Sequence, residues 1–170
     1  MESIADNFDL LLARIGAAAS AGIDWIQIRE KDLGGRECSR LTSEALAQIK
    51  KSASAGGKTS KLLINDRLDI ALSQHADGVH LGEHSLPLGQ VRSWLNTRPS
   101  RTDAQNFLVG VSCHSMEEAV NAARDGADYI FFGPVFDTPS KAVFGAPQGL
   151  GRLAEVCQSA AIPVLAIGGI

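Results

Sequence analysis

A chain of 170 residues with 45% apolar and 21% charged side chains can bury one sizeable core, and no stretch is polar enough to read as disordered. A net charge of -3 without basic clusters argues against nucleic acid or an anionic membrane as partner, so cationic residues matter locally if at all. Cys38, Cys113 and Cys157 are widely spaced, odd in number and without metal-type spacing, so neither a disulfide framework nor a zinc site is suggested; the acid-rich N-terminus is unlike a signal peptide and no run approaches membrane-span length, so the expected compartment is the cytoplasm.

In chain order, a helix is expected near Leu10 to Ala21, followed by the apolar run WIQI (25 to 28). Leu41, Ala45, Leu46 and Ile49 then form a helical stripe ahead of LLIN (62 to 65) and GVHL (78 to 81). Val91, Trp94 and Leu95 belong to a further helix before FLVGVS (107 to 112), and Ala119, Ala122 and Ala123 to another before YIFFG (129 to 133) and PVLAIGG (163 to 169). The runs are too short for helices and too uniformly apolar for half-exposed strands, which suits a parallel sheet covered on both faces. Alternation with helical stripes means βαβ units. SAGIDWIQI, QHADGVHL and RDGADYIFF repeat one pattern, a helix end, a small residue and an Asp leading into a strand. A glycine or compact polar group can cap the outgoing helix there and keep the turn short.

Six strands with helices between them fit an open doubly wound sheet or most of an eight-stranded barrel. No GxGxxG follows a strand, so a dinucleotide fold has no support. Polar groups gather at the C-terminal ends of the runs: Gln27, Arg29 and Lys31; Asn65 and Asp66; His80; Ser112 and His114; Thr138 to Lys141; Gly168 and Gly169. A set drawn from six strands converges only if the sheet curls, and the expected fold is therefore a TIM barrel within a single domain spanning 1–170.

Those side chains read as an anion site with one metal ligand. Arg29 offers a planar fork for phosphate oxygens, Lys31 and Lys141 point charges, Thr138 and Ser140 hydroxyl donors. Gly168 and Gly169 let backbone amides approach a phosphate, and Asp66 is a hard oxygen ligand suited to Mg²⁺ shared with substrate phosphates. Each residue also has a structural reading: Asn65 and Asp66 as caps of a helix beginning near Arg67, Ser112 as cap of a helix near Met116, His80 and His114 as hydrogen-bonded core or rim residues, the glycine pair as a turn, Cys113 as packing.

QIREK (27 to 31), NDRLDIAL (65 to 72), ADGVHLG (76 to 82), GVSCH (110 to 114), GADYIFFGPVFDTPSK (126 to 141) and IPVLAIGGI (162 to 170) resemble, in order, the thiamine-phosphate synthase family. The resemblance implies a (β/α)₈ barrel joining hydroxymethylpyrimidine diphosphate to thiazole phosphate, with release of diphosphate. It further implies Mg²⁺ on the leaving group and a pyrimidine-stabilised cation captured by the thiazole nitrogen, with no protein nucleophile. By match, Gln27, Arg29, Lys31 and Asn65 would hold the pyrimidine diphosphate and Asp66 the magnesium. Ser112 would face the reacting pyrimidine, Lys141 would bind the diphosphate, and Thr138, Pro139, Ser140 and Gly169 would receive the thiazole phosphate. Catalysis would fall to Ser112, Lys141 and Arg29.

Ser85 stands where the family's second metal carboxylate is expected, so a weaker hydroxyl ligand, Glu83 or water is the replacement implied there. The family's thiazole tautomerase relatives carry a His where this chain has Pro134, which favours the synthase over the isomerase; a non-catalytic phosphate-ligand barrel is the reading from another class. The family's first and eighth strands have no counterpart, so the sheet is expected to be an incomplete barrel, truncated at both ends, with two open edges. A second copy of the chain on those edges, a homo-oligomer, is the one macromolecular partner left open. Lys141→Ala is expected to lower turnover while leaving the melting temperature nearly unchanged, because an exposed strand-end lysine contributes little to folding; steady-state assay beside a thermal melt checks it.

Overall fold

Every expected apolar run is a strand, and the intervening stripes are helices. The structure, a computed structural model, describes residues 4–54, 59–97, 106–138 and 146–170. The architecture is α/β with parallel strand pairing, and it comprises two compact units, Met1–Val79 and His80–Ile170. Among the described residues no helix is long and apolar enough to cross a membrane.

The first unit runs α1 (Ile4–Ser20), β1 (Trp25–Ile28), α2 (Gly35–Ser54), β2 (Lys61–Asn65) and α3 (Leu68–Ser73) before β3 (Gly78–Leu81) begins. β1 and β2 pair in parallel, with Trp25 opposite Lys61 and Ile28 opposite Ile64. The stripe on α2 is realised: Leu41, Ala45 and Ile49 are buried, as are Leu12, Ile15 and Ala19 of α1, which packs along it. Leu62, Leu63 and Ile64 of β2 are all buried, the signature of a strand covered on both faces.

In the second unit α4 (Leu88–Asn96), β4 (Leu108–Cys113), α5 (Met116–Arg124), β5 (Tyr129–Phe132), α6 (Gly149–Ser159) and β6 (Val164–Ala166) follow the end of β3. β5 pairs in parallel with β4 on one side and β6 on the other. Ala119 and Ala122 of α5, Val156 of α6 and Cys113, Ile130 and Phe132 of the strands form one core. Trp94 departs from the expected stripe: Val91 and Leu95, four apart, define the buried face of α4 and leave Trp94 46% exposed at its margin.

The repeated sequence pattern has a common geometry. Gly22, His75 and Gly126 each take a left-handed conformation, with φ of 82°, 57° and 94°. The next amide bonds back across the helix end, Ile23 to Ala18 at 3.2 Å, Ala76 to Ala71 at 2.8 Å and Ala127 to Ala122 at 2.9 Å, the six-to-one closure of a Schellman ending. The Asp that follows then engages the start of the preceding strand. Asp77 N donates to Leu62 O at 2.9 Å while its carboxylate accepts from Leu62 N at 2.7 Å. Asp128 does the same with Val109, at 2.9 and 2.6 Å, and its carboxylate also receives the Arg92 guanidinium. Asp24 O accepts from Lys61 N at 2.8 Å. A carboxylate accepting a backbone amide is a charge-assisted bond, stronger than the neutral bond of a sheet ladder.

Gly110 on β4 is required by packing. A Cβ there would lie 2.0 Å from Tyr129 Cζ, and Tyr129 is wholly buried with nowhere to retreat. Gly110→Ala is expected to lower stability by about 3 kcal/mol, read as a fall in urea midpoint at unchanged slope.

Candidate active site

At the C-terminal end of β2 the chain turns within three residues. Arg67 N donates to Asn65 O at 2.8 Å, and the central residue, Asp66, is held at φ 62°. A non-glycine residue in this region is strained by order 1–3 kcal/mol, and such strain concentrates at functional sites. Side chains reinforce the turn. Gln27 of β1 donates its amide Nε2 to Asn65 Oδ1 at 2.9 Å, and Asn65 Nδ2 donates to Asp66 Oδ2 at 2.6 Å. Strand, amide and carboxylate are thus linked in one chain ending on an exposed oxygen pair. The helix that follows has Arg67, not Asn65 or Asp66, at its N-cap position, and the Arg67 side chain makes no capping bond.

Arg29 and Lys31 extend from the same end of β1, both exposed and without an ion-pair partner among the described residues. Arg67 is different. Its guanidinium grips Asp69 through Nε at 2.9 Å and Nη2 at 2.7 Å, and that bond holds the Asp69 carboxyl below its usual range. One cation of the NDR sequence is therefore committed to structure, while Arg29 and Lys31 remain available to an anion.

In the second unit Ser112 ends β4 half-buried, its Oγ 2.9 Å from His80 Nε2. Ser112 caps nothing. The N-cap of α5 is Ser115, whose hydroxyl accepts from Glu118 N at 3.2 Å, while Glu118 reaches back to His114 N at 2.6 Å. His114 donates Nδ1–H to Gly133 O at 2.5 Å, a rim histidine that ties β4 to the loop after β5. Cys113 is a core residue whose thiol burial pushes up to about 12, far from a nucleophile's range. Ser112 and Ser85 line one cleft of about 690 Å³, together with Leu86, His114, Glu118 and Asn121. Ser85 Oγ accepts from Gly82 N at 2.7 Å and Ser85 N donates to Gly82 O at 3.1 Å, so this serine also closes the turn after β3.

The segment after β5 continues alongside the residues after β6. Val135 N donates to Ile167 O and Phe136 N to Gly168 O, both at 2.9 Å. The approach is so close that a Cβ on Gly168 would meet Pro134 Cα at 2.7 Å, and one on Gly169 would meet Asp137 O at 2.9 Å. Both glycines also hold positive φ, 91° and 74°. The glycine pair thus has a structural task that sequence reasoning reduced to a turn or a phosphate approach: it lets two loops zip together. Gly169 and half-buried Thr138 come to the same loop pair; Pro139, Ser140 and Lys141 lie outside the described residues.

The structure therefore gathers Gln27, Asn65 and Asp66 in one chain, sets Arg29 and Lys31 on the same strand end, and gathers Ser85 with Ser112 along one cleft. Sequence reasoning offered His80 as a core residue or a candidate base and passed over Tyr129. Their signal was a histidine and a tyrosine inside strands otherwise wholly apolar, where a buried polar group needs a partner.

A parallel α/β chain with its polar side chains at C-terminal strand ends is the arrangement of barrel enzymes. The model of the family described as thiamine monophosphate synthase matches residues 2–170, and the chain belongs to that family, a family of transferases. The thiamine-phosphate synthase of Methanocella arvoryzae is 44% identical over 159 residues, covering 94% of this chain and 68% of that relative. That of Methanoculleus marisnigri is 42% identical over 159 residues, with the same shares. Among solved structures, thiamine phosphate pyrophosphorylase from Pyrococcus furiosus superposes with a TM-score of 0.76 at 31% identity, over 94% of this chain and 69% of that one. The resemblance read from the strand-end motifs holds, and with it the TIM-like fold class.

Gly168→Ala is expected to lower stability by about 2 kcal/mol, through left-handed strain and the clash with Pro134, detected as a lower thermal midpoint.

Proposed function

We propose that the protein joins hydroxymethylpyrimidine diphosphate to thiazole phosphate, forming thiamine phosphate and diphosphate by a dissociative, magnesium-assisted substitution. The observation that carries this reading is the strained Asp66, held by Gln27 and Asn65 at the strand end where its family places a metal carboxylate. Strain retained at an exposed position supports a ligand role.

The donor set fits Mg²⁺. Asp66 is a hard oxygen ligand, and among the described residues no group of three His, Cys, Asp or Glu side chains forms a closed metal cage. Mg²⁺ characteristically takes one or two carboxylates and completes its shell with substrate phosphates and water. When bound, it would neutralise the charge growing on the departing diphosphate. Arg29 and Lys31 would add donors to the same oxygens, Arg29 through a bidentate fork and Lys31 as a point charge. Gln27 and Asn65 would orient the carboxylate and the diphosphate end.

Ser112 would face the reacting pyrimidine and hold the ring in register through a hydrogen bond. Thr138 and Gly169, with Pro139 and Ser140, would hold the thiazole phosphate and align its nitrogen for attack, while Lys141 would bind the diphosphate. Alignment and charge stabilisation then supply the rate, because no side chain needs to form a bond to substrate. Pro134 supports the synthase over the isomerase. It is buried, its carbonyl accepts from Gln148 N at 2.8 Å, and it offers no base. Three free cysteines suit a reducing, cytoplasmic compartment.

The test is incubation of the full-length protein with both substrates and magnesium. Thiamine phosphate and diphosphate are expected in equal amounts, and their absence overturns the assignment. Asp66→Asn is expected to cut turnover by about 10²-fold and raise the magnesium needed for half-maximal rate, with the melting temperature little changed.

A further inference from the structure

Ser112 does not stand alone at the end of β4. His80 Nε2 lies 2.9 Å from its hydroxyl, and the other ring nitrogen, Nδ1, lies 3.1 Å from the Tyr129 hydroxyl. His80 is 2% exposed and Tyr129 not at all. The Phe131 ring covers the imidazole with centroids 4.3 Å apart. Gly110, two residues before Ser112 and so on the same face of β4, has no side chain, and the Tyr129 ring fills the space a Cβ would take. The GVS motif thus makes room for the tyrosine at its glycine and meets the histidine at its serine.

A neutral imidazole carries one N–H and one lone pair, so its two bonds set each other's direction. The Tyr129 phenol is kept protonated by burial, which pushes its pKa up. A phenol donates more readily than it accepts, since its oxygen lone pair is delocalised into the ring. With the Tyr129 O–H on Nδ1, the imidazole proton would sit on Nε2 and be donated to Ser112 Oγ. With an oxygen lone pair engaged in this way, the serine O–H cannot turn back to the histidine and is left to point away from the buried ring.

We propose that His80 is a positioning residue, a tautomer set by Tyr129 that fixes Ser112 as an outward-pointing hydrogen-bond donor for the substrate. This rests on the reading that Ser112 faces the reacting pyrimidine. An apolar residue would fill the same volume without needing two bonded partners, so the imidazole is retained for its direction.

Two measurements on the full-length protein test it. Nitrogen-15 labelling of histidine is expected to show His80 neutral and protonated at Nε2, and Tyr129→Phe is expected to mix the tautomers. A histidine protonated at Nδ1 overturns the proposal whether or not the protein turns over. In kinetics with the pyrimidine diphosphate and thiazole phosphate, His80→Phe is expected to lower kcat by roughly 10-fold to 100-fold, leaving KM for thiazole phosphate unchanged. In a Ser112→Ala background the same change is expected to add nothing, and His80→Gln, which keeps an N–H donor, to recover part of the rate. Independent, additive losses mean that His80 serves packing alone and overturn the proposal. Should His80→Phe fail to fold, Tyr129→Phe carries the kinetic comparison. A wild-type protein that makes no thiamine phosphate sinks the functional reading, while the tautomer still decides the assignment of His80.

Discussion

The organisation of the molecule depends on how the first amide of a parallel strand is satisfied. A strand entered from a helix leaves backbone donors at its start that a buried sheet cannot leave unpaired. Asp77 and Asp128 meet that need by bonding the amides of Leu62 and Val109 through their carboxylates, just after a left-handed helix ending has turned the chain. The N-terminal strand ends are thereby sealed by short, self-contained turns. The C-terminal ends carry the candidate site residues, Gln27, Asn65 and Asp66 in one unit and Ser112 in the other.

Conformational strain is distributed in keeping with that division. At the sealed ends two of the three left-handed positions are glycines, Gly22 and Gly126, for which the conformation costs little, and the third is His75. At the C-terminal end of β2 the left-handed residue is an aspartate, held there by the amide chain from Gln27 through Asn65. At the loops after β5 and β6 a glycine pair allows two backbones to approach within the reach of a missing side chain. The first is strain kept for a carboxylate; the second is strain avoided so that two loops become one surface.

Polar burial in the second unit follows the same logic. His80 and Tyr129 are out of water, and each is bonded to the other, so neither carries the penalty of an unmet partner. Cations are treated in the opposite way: Arg67 and Arg92 are paired with Asp69 and Asp128, whereas Arg29 and Lys31 stand exposed at the strand end. Cations that the fold has not already neutralised are the ones left for an anion.

The strands and helices, the repeated Asp entry and the family were legible in the sequence, because apolar period, turn residues and motif order are local properties that survive without coordinates. The strand-end polar residues could be gathered into a candidate list for the same reason. What a linear chain could not show is which of several bonds each group would make. Asn65 and Asp66 were candidate helix caps until the structure placed Arg67 at that N-cap, and Ser112 was a candidate cap until the structure placed Ser115 there. The bonds among His80, Ser112 and Tyr129 join residues far apart in the chain, and their direction depends on ångström-scale distances between strands. Composition and spacing determined the elements and the chemistry on offer; only tertiary packing decided which polar groups are spent on holding the fold and which are left for a substrate, since that choice turns on distance and burial.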